Sequence, residues 1–232
     1  MGYATAGRVG QIIALVTAIV FSIPGGRATA GPFANLDFED SPIPGNATMS
    51  FSEPTAILFP SWTVRFGDYV ATTGSLNVGL LAGATDILYT SDTPSTGILQ
   101  GTRTLGITGW MGPTSIAQIG DVPADARSIR FLAVAGYITA PGSPFLTMNG
   151  HDVPLITLLQ SGNIVTFGGD ITAWAGTNSE LRIAVTGLTP NVGPSSSLID
   201  AIEFSPIPLP EPASVLVLSC AGIFLFSRRQ TR

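Results

Sequence analysis

The sequence predicts an all-β fold, a single jelly-roll-like β-sandwich, on three observations. Glycine (27 residues) and proline (18 residues) are abundant, as suits a chain with many tight turns. Short runs rich in Val, Ile, Thr, Phe and Leu recur between Gly, Pro, Asn and Asp turns. Several runs alternate in polarity, which is typical of strands with one buried face. We place this domain at residues 31–206 of the 232.

The strand-like segments follow one another along this domain with little helix between them. In Ser128–Ala135, for example, Ile129 and Phe131 fall on one face of the predicted strand. The Asn149-Gly150 pair between apolar runs predicts a two-residue hairpin. Asp170 as N-cap and Gly176 as the stop predict one short helix over 171–175. The predicted strands are Ala34–Glu39, Ile57–Phe66, Leu76–Leu80, Arg103–Gly109, Ser115–Ile119, Ser128–Ala135, Phe145–Met148, Val153–Leu158, Ile164–Phe167, Glu180–Val185 and Leu198–Phe204.

Composition and charge exclude several functions. All ten basic residues are arginines, so no lysine can form a Schiff base or a P-loop. One cysteine and one histidine exclude a disulfide framework and a Cys/His zinc site. Residues 31–209 carry five arginines against fourteen acidic residues, a net charge of −9. This acidic balance argues against nucleic-acid binding, which needs a basic surface.

The first 30 residues have the three-part layout of a secretory signal peptide. Arg8 precedes an apolar run over 12–23, and Ala28 and Ala30 supply the small residues of a cleavage site. The apolar run is too short to span a bilayer comfortably. We therefore expect signal peptidase to cleave after Ala30, leaving Gly31 as the N-terminus of an exported protein.

The last residues, 207–232, combine a proline-rich stretch, an apolar run and a basic end. The apolar run Ala213–Phe226 predicts a short transmembrane helix at 213–227, about 21 Å long for the run itself against a hydrocarbon core of about 30 Å. Arg228 and Arg229 begin the basic tail, 228–232, which the positive-inside rule places in the cytoplasm. The body of the protein would then lie outside the membrane.

Pro210, Glu211 and Pro212, followed by this apolar run and basic end, resemble the PEP-CTERM sorting signal of Gram-negative bacteria. The resemblance implies recognition by an exosortase, a membrane-embedded transpeptidase that cleaves near the Pro-Glu-Pro motif. It also implies passage to the cell surface or extracellular matrix of a species that makes exopolysaccharide. In this interpretation the three motif residues are a substrate and have no catalytic role.

The domain itself resembles galactose-binding-like sandwiches of the carbohydrate-binding-module type. The resemblance rests on an opening Asn-Leu-Asp-Phe-Glu at 35–39, strand and turn patterns in the middle, and a closing Leu-Ile-Asp-Ala-Ile-Glu-Phe at 198–204. In that family the first and last strands pair, and acids on them often bind a structural calcium ion. The resemblance nominates Glu39 and Asp200 for this role, with Asp37 as a further candidate. The alternative is that these acids simply face water at strand ends.

The residues indicate no catalytic centre. The single histidine, His151, falls in the predicted hairpin, where we expect it to be solvated. Of the three tryptophans, Trp110 lies in a Gly- and Pro-flanked loop and is the best candidate for stacking on a sugar ring. We therefore expect a non-catalytic binding or structural protein, with polysaccharide as the ligand where there is one. A secreted glycan hydrolase or lyase, using a carboxylate pair that the sequence does not single out, is the alternative. A passive matrix component would have neither feature.

Overall fold

The computed structural model describes residues 31–45, 47–78, 86–90, 98–110, 112–135, 144–187 and 194–210. These residues are mostly β and form two sheets arranged as a sandwich, which confirms the predicted fold class. The helical segments within these ranges are too short to span a bilayer. The predicted signal peptide and the apolar segment at 213–227 lie outside the described residues.

Strands are numbered along the chain, and neighbours in each sheet are antiparallel except β4 (Thr73–Leu76) and β5 (Asp86–Thr90), which are parallel. The eight-stranded sheet has the spatial order β1 (Ser50–Pro54), β4 (Thr73–Leu76), β5 (Asp86–Thr90), β6 (Arg103–Gly109), β14 (Ser195–Ser205), β8 (Ser128–Ala135), β12 (Ile164–Asp170), β11 (Leu155–Ser161). The six-stranded sheet has the order β10 (His151–Val153), β9 (Phe145–Met148), β13 (Asn178–Val185), β7 (Thr114–Asp121), β2 (Thr63–Phe66), β3 (Tyr69–Val70). The described helical elements are α1 (Thr55–Leu58) and a 3₁₀ turn at Thr172–Trp174.

The core lies between the inner faces of the two sheets, and the predicted alternation positions its residues. Ile129 and Phe131 of β8 are buried, and so are Leu181 and Ile183 of β13. Phe131 packs against Phe167 with ring centroids 5.6 Å apart. Each of these side chains contributes about 1.5–3 kcal/mol through removal of its apolar surface from water.

Of the two predicted local features, the hairpin is confirmed, and the helix is a shorter 3₁₀ turn whose N-cap is Ile171 and not Asp170. Asn149 and Gly150 have φ of +50° and +76°, as a tight hairpin turn requires, and Met148 pairs with His151 across it. The predicted helix is present as the single 3₁₀ turn. Asp170 Oδ1 accepts the Thr172 N–H at 2.8 Å before it, and Gly176 has φ +70° after it.

The predicted strand Ala34–Glu39 is wrong, because this segment folds into turns. Asn35 and Phe38 have φ of +50° and +60°, values outside the β region of the backbone. The Asn35 Oδ1 atom accepts the Asp40 N–H at 3.0 Å, which closes the segment on itself. The segment contacts β14 through one backbone hydrogen bond, from Ile202 N–H to the Leu36 carbonyl at 3.0 Å. The pairing of first and last strands that the family resemblance implied is thus reduced to this bond.

Other strand boundaries shift at residues that interrupt the β backbone. The predicted strand Ile57–Phe66 begins as helix α1, and only β2 is extended, after Ser61 at φ +72°. The predicted strand Val153–Leu158 is divided at Pro154, which has no N–H for a ladder, into β10 and β11 of different sheets. The predicted strand Leu76–Leu80 is wrong in its start: β4 ends at Leu76, and Asn77 has φ +52°. Strands β1, β3 and β5 were not predicted.

Candidate functional site

The outer face of the six-stranded sheet carries a row of small residues between longer polar ones. Val64, Ile116 and Ile183 point into the core, so the residues beside them in each strand point outward. Across the strands, Arg65 is the partner of Ser115, and Ser115 is the partner of Ala184. The small side chains of the central strands lie between longer side chains, and this difference in size leaves a groove along the face.

We call this depression the sheet groove; its volume is about 270 Å³. Its lining includes Ser61, Thr63, Arg65, Ala117, Ile119 and Glu180. The groove is small for a pocket that encloses a whole ligand, since such pockets are typically about 300–1,000 Å³. It therefore suits one part of a longer molecule lying across the sheet.

The N-terminal segment fixes one rim of the sheet groove. The Asn35 side-chain amide donates to the Pro60 carbonyl at 3.0 Å, next to the left-handed Ser61. The Trp62 indole N–H donates to the Asn35 carbonyl at 2.8 Å. These two bonds tie the turn before β2 to the core, so the rim is held in place before any ligand binds.

The two arginines of this face differ in how they are paired. Arg182 forms an ion pair with Glu180, with its Nη2 2.9 Å from Oε1 and its Nε 3.1 Å from the same oxygen. The Arg65 guanidinium donates no hydrogen bond to any of the described residues, and its Nε is buried. A guanidinium group presents five N–H donors in a planar fork. The Arg65 guanidinium therefore has donors left for a ligand, whereas that of Arg182 is engaged by Glu180.

The lining of the sheet groove combines hydrogen-bonding groups with an exposed apolar side chain. Hydroxyl groups of Ser61 and Thr63 can donate or accept hydrogen bonds, and Arg65 can donate to sugar oxygens. Ile119, with 61% of its surface exposed, offers an apolar contact for the face of a sugar ring. Glycoside hydrolysis needs two carboxyl groups facing one bond, whereas the described lining includes one, Glu180, already paired with Arg182.

A second cavity, of about 430 Å³, lies where β9 and β10 meet the start of β11. Its described lining is mainly apolar and includes Phe145, Leu146 and Leu155. Asp152 is the one carboxylate among these lining residues. This cavity therefore offers neither a carboxylate pair nor a convergent set of polar groups.

The structure brings Glu39 and Asp200, the two predicted calcium ligands, to the same loop at 98–104. The Glu39 carboxylate accepts the Thr102 N–H at 2.6 Å and the Arg103 N–H at 2.9 Å, and it forms an ion pair with the Arg103 guanidinium at 3.0 Å. Asp200 is fully buried and accepts the Gln100 N–H at 3.1 Å. Glu39 thus holds the loop before β6 to the N-terminal segment, and Asp200 holds the same loop to β14. We call this arrangement the carboxylate clamp.

The two carboxyl groups of the clamp have opposite pKa shifts. Burial raises the pKa of Asp200 to about 6, and the negative charge of Glu39 adds to the rise, against the hydrogen bonds from Thr104, Ala201 and Gln100. Partial burial also raises the pKa of Glu39, but hydrogen bonds from Thr102 and Arg103 outweigh it and place that pKa below its ordinary value.

The carboxylate clamp does not fit a calcium ion in this arrangement. Ca²⁺ needs six to eight oxygen ligands with free lone pairs. All four carboxylate oxygens already accept hydrogen bonds, and the Arg103 guanidinium occupies the position beside Glu39 that a cation would take. Asp37 is exposed, and its Oδ1 accepts the Glu39 N–H at 3.3 Å. Among the described residues no group of three or more His, Cys, Asp or Glu side chains could hold a metal ion.

The exposed positions of Trp110 and His151 agree with their predicted places in a loop and beside a hairpin turn. Trp110 follows β6 and is 42% exposed, but it lines neither of the two cavities described above. Trp62 is buried, and Trp174 packs against the core. His151 is exposed beside the hairpin turn. A role for Trp110 in sugar stacking stays a prediction.

Of the predicted sorting residues, Pro210 is the last that the structure describes, and it is exposed. Ala28, Ala30, Glu211, Pro212, Arg228 and Arg229 lie outside the described residues. The sequence did not single out Arg65 or Glu180. The alternation of residues in β2 and β13 could have indicated them, because it places charged residues on the outer face of two otherwise apolar strands.

No family model matches this chain, and no curated protein is significantly similar to it.

Proposed function

We propose that the chain is an exported, exosortase-sorted protein of the cell surface or extracellular matrix whose β-sandwich binds polysaccharide without catalysis. The observation that carries the binding role is the sheet groove, where Arg65 presents donors beside hydroxyl groups and the exposed Ile119. The sorting role is supported by the Pro-Glu-Pro motif, the apolar run and the basic tail.

Binding is tested by titrating exopolysaccharide from the native cell into the purified protein in a calorimeter. Arg65→Ala should weaken binding at least about tenfold, which corresponds to about 1.4 kcal/mol. Arg65→Lys should restore little, because an ammonium group lacks the planar fork. Arg127→Ala removes an exposed arginine outside the groove and is the matched control.

If Arg65→Ala and the unaltered protein bind the polysaccharide with equal affinity, the sheet groove is not the binding site. Trp110→Ala in the same titration tests the alternative surface. Loss of affinity in that variant alone would move the binding site to the loop after β6.

Sorting is tested by mass spectrometry of the mature protein from the native cell. The expected product begins at Gly31 and ends near the Pro-Glu-Pro motif. Glu211→Ala should leave export intact and block removal of the C-terminal segment. An exported protein that retains residues 213–232 in full would contradict exosortase processing.

A further inference from the structure

The chain leaves the sandwich along a segment that is fixed to the domain surface. We call Pro206–Pro210 the strap. Ser128 Oγ donates to the Ile207 carbonyl at 2.7 Å, and the Ile207 N–H donates to Ser205 Oγ at 3.2 Å. The strap therefore follows the outer surface of the eight-stranded sheet after β14 ends.

Leu209 anchors the strap in a notch that a glycine makes. Its Cδ2 lies 2.8 Å from the point where a Cβ of Gly168 would stand, and Leu158 Cδ1 lies 2.7 Å from the same point. Any side chain at Gly168 would displace both leucines. The notch thus holds the last apolar residue before the Pro-Glu-Pro motif against β11 and β12.

Apolar side chains continue from this notch across the outer face of β11, at the edge of the sheet. Ile156 is the partner of Gly168 and Leu159 is the partner of Thr166, while the alternate residues Val165 and Phe167 point into the core. Leu159 is 65% exposed. We call this surface the strap patch; its members are Ile156, Leu158, Leu159, Ile207 and Leu209.

The short length of chain beyond Pro210 limits how far the strap patch can lie from the apolar run. Only Glu211 and Pro212 separate Pro210 from the apolar run, so three peptide steps, about 10 Å, reach Ala213. An apolar run that enters a bilayer at Ala213 brings the strap patch to the lipid headgroups. Arg130, the partner of Gly168 in β8, lies on the same outer face, where a cation beside apolar groups suits the interface.

From this geometry we infer that the strap patch lies on the bilayer surface while the C-terminal segment anchors the protein. The inference rests on the proposed sorting function, because it needs the anchored precursor. The strap patch contacts the headgroups and the upper acyl region of the bilayer. The apolar members enter this region by the hydrophobic effect, and the tether keeps them there.

The experiment uses the full chain in phosphatidylcholine vesicles with brominated acyl chains, which quench nearby fluorophores. A fluorophore is attached to Leu159→Cys, made together with Cys220→Ala. Tyr69→Cys in the same background is the matched control, because Tyr69 is 64% exposed and lies on β3, an edge strand of the other sheet. A label on the native Cys220 reports whether the apolar run has inserted.

The expected result is loss of most of the fluorescence at positions 220 and 159, with position 69 unquenched. Quenching at 220 but not at 159 overturns the inference and leaves the anchor intact. No quenching at 220 overturns both the anchor and the inference. Insertion of about ten Gly and Ser residues between Pro210 and Glu211 should abolish quenching at 159 alone, because it releases the tether. Quenching at 159 that survives this insertion would overturn the tethered placement.

Discussion

The carboxylate clamp makes the stability of the protein depend on pH through Asp200. Burial raises the pKa of this group from 3.8 to about 6, so between these values the folded state binds more protons than the unfolded state. The free energy of unfolding must then fall as the pH rises through 6. One pKa unit corresponds to 1.36 kcal/mol, so acidification from pH 7.5 to pH 5 should raise the free energy of unfolding by about 1.4 kcal/mol.

The assay is urea unfolding followed by tryptophan fluorescence, because Trp62 is buried and hydrogen-bonded in the segment next to the clamp. Asp200→Asn should remove the pH dependence in this window while its amide oxygen still accepts a hydrogen bond from the loop. Glu203→Gln, an exposed position on the same strand, should keep the slope of the unaltered protein. If Asp200→Asn keeps that slope as well, a different group titrates and the reasoning fails.

Three further predictions concern the clamp and the notch. In thermal unfolding, Gly101→Ala should lower the free energy of unfolding by about 1–3 kcal/mol more than Gly162→Ala does. Both glycines have φ +61°, but only at Gly101 would the new Cβ collide with the Glu39 carboxylate. Equal losses would show that backbone strain alone is responsible. Millimolar Ca²⁺ or a chelator should leave the melting temperature unchanged, because the clamp oxygens already accept hydrogen bonds; a rise of several degrees with Ca²⁺ would restore the calcium prediction. Gly168→Ala should expose the strap to proteolysis near Leu209 by blocking its notch, and an unchanged cleavage rate would contradict that contact.

The predictable part of the fold was the part in which local pattern and tertiary environment agree. In β8, alternation alone placed Ile129 and Phe131 in the core. The segment 34–39 alternates apolar and polar residues as well, but it has no partner strand, and Asn35 stabilises a turn through its own side chain. Strand β1 depends on pairing with β4, a contact between segments distant in sequence that no local pattern records.

The candidate site was predictable only in part, for the same reason. The family resemblance predicted that Glu39 and Asp200 lie close together. It did not predict the Arg103 guanidinium, which is 64 positions from Glu39 in sequence and is the cation beside this carboxylate. The sheet groove depends on the register of β2, β7 and β13. That register sets Arg65 beside Ser115, and a change of one residue would turn Arg65 toward the core.

The two proposed surfaces belong to opposite outer faces of the sandwich. The sheet groove lies on the six-stranded sheet, and the strap patch lies on the eight-stranded sheet, with the core between them. If the strap patch rests on the bilayer, the sheet groove faces away from it, into the surrounding matrix. A polysaccharide chain could then reach Arg65 while the protein is still anchored, so binding need not wait for cleavage. The anchored and released forms should accordingly bind the same polysaccharide with equal affinity. This is tested by measuring the affinity of the surface-tethered protein and of the released protein for that polysaccharide.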